Sequence, residues 1–224
     1  MTDTATAKTY EPARVNPQHQ RALRVIKGTA TFEDRFVPNH NEVVELIAAL
    51  RAMGCVIAFT TGNWDLFHIG HAESIARGKK EAAKLYPEAD HVVMVVGIDT
   101  DEMTKKRKGP TRPIVPESER SKVLSHLRAV DLIVPQYEPD QLYCLVEHDV
   151  RVISTSTGDL PEHDEIRRYC QHLVNLPPQA ETSTTARIRR LAIDGSLDVV
   201  KNVTEKLTAV LKEVTDELGK QIGQ

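Results

Sequence analysis

Hydrophobic positions along this chain switch between two periods, and the switching predicts alternating helices and strands. Val43, Leu46, Ile47, Leu50 and Met53 recur at helical spacing after Pro38-Asn39-His40-Asn41, and Gly54 stands where a helix stop belongs. Cys55–Phe59 is a continuous apolar run of strand length, closed by the turn signal Thr60-Thr61-Gly62-Asn63, with a helix expected from about His71 to Leu85. His91–Ile98 reads as a second buried strand and Lys105–Pro113 as a basic loop. Pro116-Glu117-Ser118-Glu119 opens a helix with acids at its positive end. Strands follow at Leu132–Val134, Val150–Ile153 and His172–Leu176, separated by helices at Pro139–Glu147 and Pro161–Cys170. Continuous apolar strands divided by helices predict an α/β fold, a Rossmann-like parallel sheet with helices on both faces. Such sheets bind ligands at the carboxyl ends of their strands. The stretches after Thr60 and after Ile98 are therefore the first places to look for a site.

The two ends read differently. Residues 1–38 are polar, with Pro12, Pro17 and Pro38, and predict an arm holding one short strand around Leu23–Ile26. From Ser196 to Gln224, Val200, Val203, Leu207, Val210, Val214, Leu218 and Ile222 recur every three or four residues, which predicts a C-terminal amphipathic helix. The expected organisation is an arm over 1–38, one domain over 39–195 and this helix over 196–224.

Composition narrows the classes. The chain has 224 residues, 40% hydrophobic and 27% charged, which is globular rather than disordered composition. A net charge of −3 gives no bulk attraction for nucleic acid or an anionic membrane. Val92–Val96, an apolar run that no other exceeds, is far short of the roughly 20 residues a membrane span needs. The opening Met1-Thr2-Asp3-Thr4-Ala5 lacks a signal-peptide layout. Cys55, Cys144 and Cys170 stand far apart without CxxC spacing, which fits a reducing compartment; a cytoplasmic protein is expected.

The segment Thr60-Thr61-Gly62-Asn63-Trp64-Asp65-Leu66-Phe67-His68-Ile69-Gly70-His71 carries the chemistry. A strand delivers the chain to a turn, and a helix begins there. Helix starts present unpaired N–H groups and a positive dipole end, which suit phosphate. Gly70 lets backbone come close to a ligand. His68 and His71, three apart, can both point at one phosphate chain.

This segment resembles the HxGH nucleotidyltransferase superfamily of cytidylyl- and adenylyltransferases. Further blocks follow in that superfamily's order: Thr100-Asp101-Glu102, then Lys108-Gly109, Arg112-Pro113, Glu119-Arg120 and Arg128-Ala129-Val130-Asp131, and finally Ser183-Thr184-Thr185 with Ile188. The likeness runs from about Cys55 to Leu191. It implies transfer of a nucleotidyl group from CTP or ATP to a small phosphorylated polyol, sugar or amino alcohol, with pyrophosphate leaving. By resemblance, His68, His71, Lys108 and Arg120 are catalytic. Thr60, Thr61, Gly62, Asn63, Trp64, Gly70, Asp101, Arg128, Ser183, Thr184 and Thr185 hold the nucleotide. Mg²⁺ or another divalent cation bridges the phosphates, with Asp65 a candidate to orient the metal or the motif. Thr100-Asp101-Glu102 and Lys108-Gly109-Pro110 look like lipid-head-group cytidylyltransferases, which gives a lean to CTP. The Lys108-Gly109…Arg112-Pro113 spacing equally resembles heptose-phosphate adenylyltransferases. The resemblance and the C-terminal stripe together imply a homodimer.

Two departures stand out. Pro178 occupies a place where glycerol-3-phosphate cytidylyltransferase relatives carry an arginine, and Ser154–Asp159 replaces a glycine-aspartate-rich nucleotide loop. Other readings remain. His68-Ile69-Gly70-His71 also spells the HIGH motif of class I aminoacyl-tRNA synthetases, but no KMSKS-like segment occurs. A non-catalytic nucleotide-binding protein on the same fold is the other.

Overall fold

The computed structural model describes residues 16–139, 141–154, 166–177, 193, 195–197, 199–209 and 212. Five strands, β1 (Val56–Gly62), β2 (Val92–Asp99), β3 (Leu132–Gln136), β4 (Val150–Ser154) and β5 (His172–Leu176), form one parallel sheet in the order β3-β2-β1-β4-β5. The chain builds outward from β1 to β3, then crosses to the other side of β1 for β4. The switch point lies between β1 and β4, where ligands bind in sheets of this kind. Helices α1 (Pro17–Ile26), α2 (Phe32–Arg35), α3 (His40–Ala52), α4 (Ile69–Leu85), α5 (Asp101–Lys108), α6 (Glu117–Ser125) and α7 (Gln141–Leu145) lead into and connect these strands.

Strand residues alternate between two cores, as a period of two requires. Ile57, Phe59, Val93, Val95, Leu132 and Val134 face α1, α3 and α7 and pack with Ala22, Leu46, Leu50 and Leu142. Ala58, Met94, Val96, Ile133, Val150 and Val152 face the other way, against Ile75 and Ala82 of α4 and Leu124 of α6. The Rossmann-like α/β expectation holds.

Several local expectations do not. The strand foreseen around Leu23–Ile26 is the second half of α1, which Pro17 opens and the Asn16 side chain caps by accepting the Gln18 N–H at 2.8 Å. The described part of the expected arm is packed structure: Ala22 and Val25 are buried, and the Val37 N–H donates to the Ile133 carbonyl. One buried pair, three residues apart among polar neighbours, makes too weak a period to read in advance. The basic run is a loop only from Gly109 on, since Lys105–Lys108 form the last turn of α5, where cations suit the negative helix end.

In the expected helix Pro161–Cys170 a single 3-10 turn, Arg167–Tyr169, is described, and the rest lies outside the described residues. Residues 199–209 are helical as expected, with Val199, Val200, Val203 and Leu207 exposed; the stripe beyond them lies largely outside the described residues. The chain divides into two compact units, Met1–Gln179 and Ala180–Gln224, and the site below is built within the first. No helix among the described residues is long and apolar enough to cross a membrane.

Candidate active site

The turn after β1 is held in an uncommon conformation. Trp64 and Leu66 have φ of 57° and 46°, the left-handed region that bulky side chains rarely adopt. Trp64 is fixed by a 2.8 Å hydrogen bond from its Nε1–H to the Gly97 carbonyl on β2. Its ring lies over Gly62, where a Cβ would stand 2.9 Å from the indole. Gly62 thus makes room for the tryptophan. Thr60 is buried in β1 on the face that α4 covers.

His68 is the N-cap of α4. Its Nδ1 accepts the Gly70 N–H at 3.1 Å, so in the neutral ring the proton sits on Nε2. The His71 ring stacks on it with centroids 3.9 Å apart and planes 24° apart. Trp64 meets the His71 ring edge-on at 5.5 Å and Phe67 flanks it at 5.3 Å. Two imidazoles are therefore set side by side at a helix start on the carboxyl edge of the sheet. This is a place where anions are stabilised.

Arg120, expected to face phosphate, does not. It is 2% exposed, and its nitrogens donate to the carbonyls of Val115, Asn63 and Asp99 and to Asp101 Oδ1. It ties the turn after β1, the end of β2 and the start of α6 into one body. Asp101 shares in this, since Oδ1 also accepts the Glu117 N–H at 2.9 Å. Asn63 donates through Nδ2 to Thr104.

Asp65 is likewise committed. It is 2% exposed and accepts the N–H groups of Ile114 and Val115 at 3.0 and 2.9 Å and the Arg112 guanidinium at 2.7 Å. Burial pushes its carboxyl up, but these donors outweigh burial and hold it below the usual range. With its oxygens so engaged, Asp65 positions the motif rather than a metal. Among the described residues no three His, Cys, Asp or Glu side chains gather to hold an ion.

Lys108 is different. It closes α5, its ammonium has no hydrogen-bond or ion-pair partner among the described residues, and it stands on the rim. Desolvation, then the neighbouring Arg112 and Arg107, pull its pKa below the usual value against the attraction of Asp99 and Asp65. Arg107 pairs with Asp99 at 3.1 Å, and Lys106 reaches Glu138 at 3.7 Å. Asp99, which the sequence reading passed over, is buried at the end of β2, and burial raises its pKa despite Arg107. An acid closing an apolar strand was the signal available for it.

Other expected residues lie elsewhere. Arg128 is exposed in the α6–β3 connection, which returns the chain to the amino edge of the sheet, the edge opposite His68. Thr61 turns its hydroxyl to the α7 face, where it accepts from Arg151 Nη2 at 2.7 Å. Ser183, Thr184 and Thr185 lie outside the described residues. Arg151 was also missed. It is 2% exposed on β4, its guanidinium lying 4.4 Å from the Phe59 ring centre and 4.5 Å from that of Tyr143. Its signal was an arginine inside the apolar run Val150–Ile153.

Comparison with known proteins adds the family. The cytidylyltransferase-like family model matches residues 59–190, more than half the chain. This chain belongs to the cytidylyltransferase-like family. Among curated relatives it is similar to the bifunctional protein HldE of Caulobacter sp. (strain K31), 39% identical over 154 residues, covering 65% of this chain and 29% of the relative. It is also similar to the bifunctional protein HldE of Magnetococcus marinus, 30% identical over 169 residues, covering 73% of this chain and 33% of the relative. The cytidylyltransferase-like chain thus spans about a third of the length of these relatives. Among solved structures it matches a lipopolysaccharide core biosynthesis protein from Thermoplasma volcanium, with a TM-score of 0.42, 23% identity and 54% of this chain covered.

Proposed function

We propose that this domain transfers a nucleotidyl group, AMP in preference to CMP, from a nucleoside triphosphate to a sugar phosphate and releases pyrophosphate. The observation that carries the reading is the His68–His71 pair, stacked at the N-terminus of α4 on the carboxyl edge of the sheet. The acceptor phosphate oxygen is already anionic, so the reaction needs no serine or cysteine nucleophile. It needs positioning and donors aimed at charge growing on the α-phosphate and the leaving pyrophosphate. The proton on His68 Nε2, the α4 N–H groups and the Lys108 ammonium are such donors. The triphosphate enters as its magnesium salt, because Mg²⁺ keeps several waters and rides on substrate phosphates.

The lean to CTP finds no support among the relatives. The Lys108-Gly109…Arg112-Pro113 spacing, which resembles heptose-phosphate adenylyltransferases, favours ATP and a sugar phosphate instead. The test is pyrophosphate release with ATP, CTP, UTP and GTP against a panel of sugar, polyol and amino-alcohol phosphates. Fastest turnover with ATP and a sugar phosphate is expected. Fastest turnover with CTP and a polyol phosphate would reverse the assignment, and no release with any pair would leave the non-catalytic reading. The homodimer expected from the C-terminal stripe remains a proposal, tested by light scattering on the chain with and without residues 196–224.

A further inference from the structure

We propose that Arg151 is a positioning residue for the histidine pair, acting across the sheet through Thr61, Gly97 and Trp64. The inference rests on the reaction assigned above and adds a residue on β4 to its machinery.

The links are short and continuous. Arg151 Nη2 donates to Thr61 Oγ1 at 2.7 Å, which fixes the threonine side chain on the α7 face. Thr61 and Gly97 are paired neighbours on β1 and β2. The Thr61 Cγ2 fills the space a side chain at 97 would take, 2.6 Å from the position of a Cβ there. A displaced Thr61 therefore bears directly on the Gly97 backbone. The carbonyl of Gly97 takes the Trp64 indole N–H at 2.8 Å. Trp64 in turn packs edge-on against His71, which stacks on His68.

Two features say that this chain of contacts serves position rather than packing alone. An apolar side chain would fill the place between Phe59 and Tyr143 at lower desolvation cost than a guanidinium. What arginine adds is a directed N–H that no apolar side chain offers. The second feature is the Trp64 backbone, at φ 57°. Such a conformation persists only where the surroundings over-determine it. The indole bond to Gly97 holds it from one face of the sheet, and the Arg151–Thr61 bond braces Gly97 from the other.

The test uses Thr61→Val, which removes the hydroxyl and keeps the shape, together with Arg151→Met and the double variant. Two quantities are measured on the full chain: the ring resonances of His68 and His71 by NMR without ligand, and pyrophosphate release with ATP and the best sugar phosphate. Each single variant is expected to shift the His71 resonances in the same direction. Each is also expected to lower kcat about tenfold with KM for ATP within about twofold, as misplaced catalytic donors do. The double variant should be no worse than the poorer single. Val95→Ala, a cavity in the same apolar face, should lower the melting temperature without moving the His71 resonances. If Arg151→Met does not fold, Thr61→Val alone decides. Unmoved His71 resonances in folded Thr61→Val overturn the proposal, as do losses in kcat that multiply in the double variant. Absence of pyrophosphate release from the unaltered protein would sink the assigned reaction instead, while the resonances still decide the coupling.

Discussion

The two edges of the sheet use the same device to different ends. At the amino edge, Asp131 accepts the Met94 N–H and pairs with Lys79, and Asp149 accepts the Ile57 N–H and pairs with Arg51. At the carboxyl edge, Asp65 accepts the N–H groups of Leu66, Ile114 and Val115 and pairs with Arg112, and Asp101 pairs with Arg120. In both places a carboxylate satisfies backbone donors that a strand or loop end would leave bare, and a cation balances it. The carboxyl edge carries a further layer on this base, the stacked imidazoles at the start of α4 and the exposed Lys108 side chain. Charged residues of a functional motif thus divide into those that build the platform and those that stand on it.

The sharpest break in this comparison is at the platform. Arg120→Met leaves Asp101 and three carbonyls without their donor, and removing one partner of a buried ion pair costs about 3–5 kcal/mol. Urea unfolding should show that loss, and a stability unchanged within error would mean Arg120 is no clamp. Next come His68→Ala and His71→Ala. Each should lower turnover at least a hundredfold, since loss of one preorganised donor costs about 10²–10³ in kcat. The melting temperature of His71→Ala should barely move, while His68→Ala should lose about 1 kcal/mol with its N-cap bond to the Gly70 N–H. If they melt far lower and lose activity only by unfolding, the histidines belong to the platform too.

The amino edge should respond in stability alone. His148 is buried just before β4, and burial pushes its pKa down to about 4, against the ordinary 6.5. Its folded form resists protonation, so the unfolded chain binds more protons between those values. Stability is then full above pH 6.5 and falls as pH drops towards 4, by roughly 2–3 kcal/mol from this group. Comparing urea midpoints of the protein and of His148→Phe at pH 7 and pH 4.5 isolates that slope. An equal drop in both proteins would assign it to carboxylates instead. The smallest effect is expected from Lys79→Met, which leaves the partly buried Asp131 without its cation and costs about 1–3 kcal/mol. Turnover per folded molecule should stay unchanged, and a fall in kcat there would erase the distinction between the edges.

The sequence by itself determined the alternation of strands and helices, the parallel sheet and the edge where a site must lie. These follow from local periods and turn residues, which act over a few positions. It also determined that His68 and His71 stand at a helix start, because strand, turn and helix are contiguous there. Only the tertiary structure decided that α1 packs beside α3, since two buried residues of ten make no visible stripe until a neighbour covers them. It alone decided that Arg120 and Asp65 are sealed inside while Lys108 stays on the rim, and that Arg128 faces the far edge. All are charged letters in one motif series, and charge says nothing of burial. Whether a cation meets solvent or three carbonyls depends on contacts between segments up to 57 residues apart, as for Arg120 and Asn63, and no local pattern encodes such contacts.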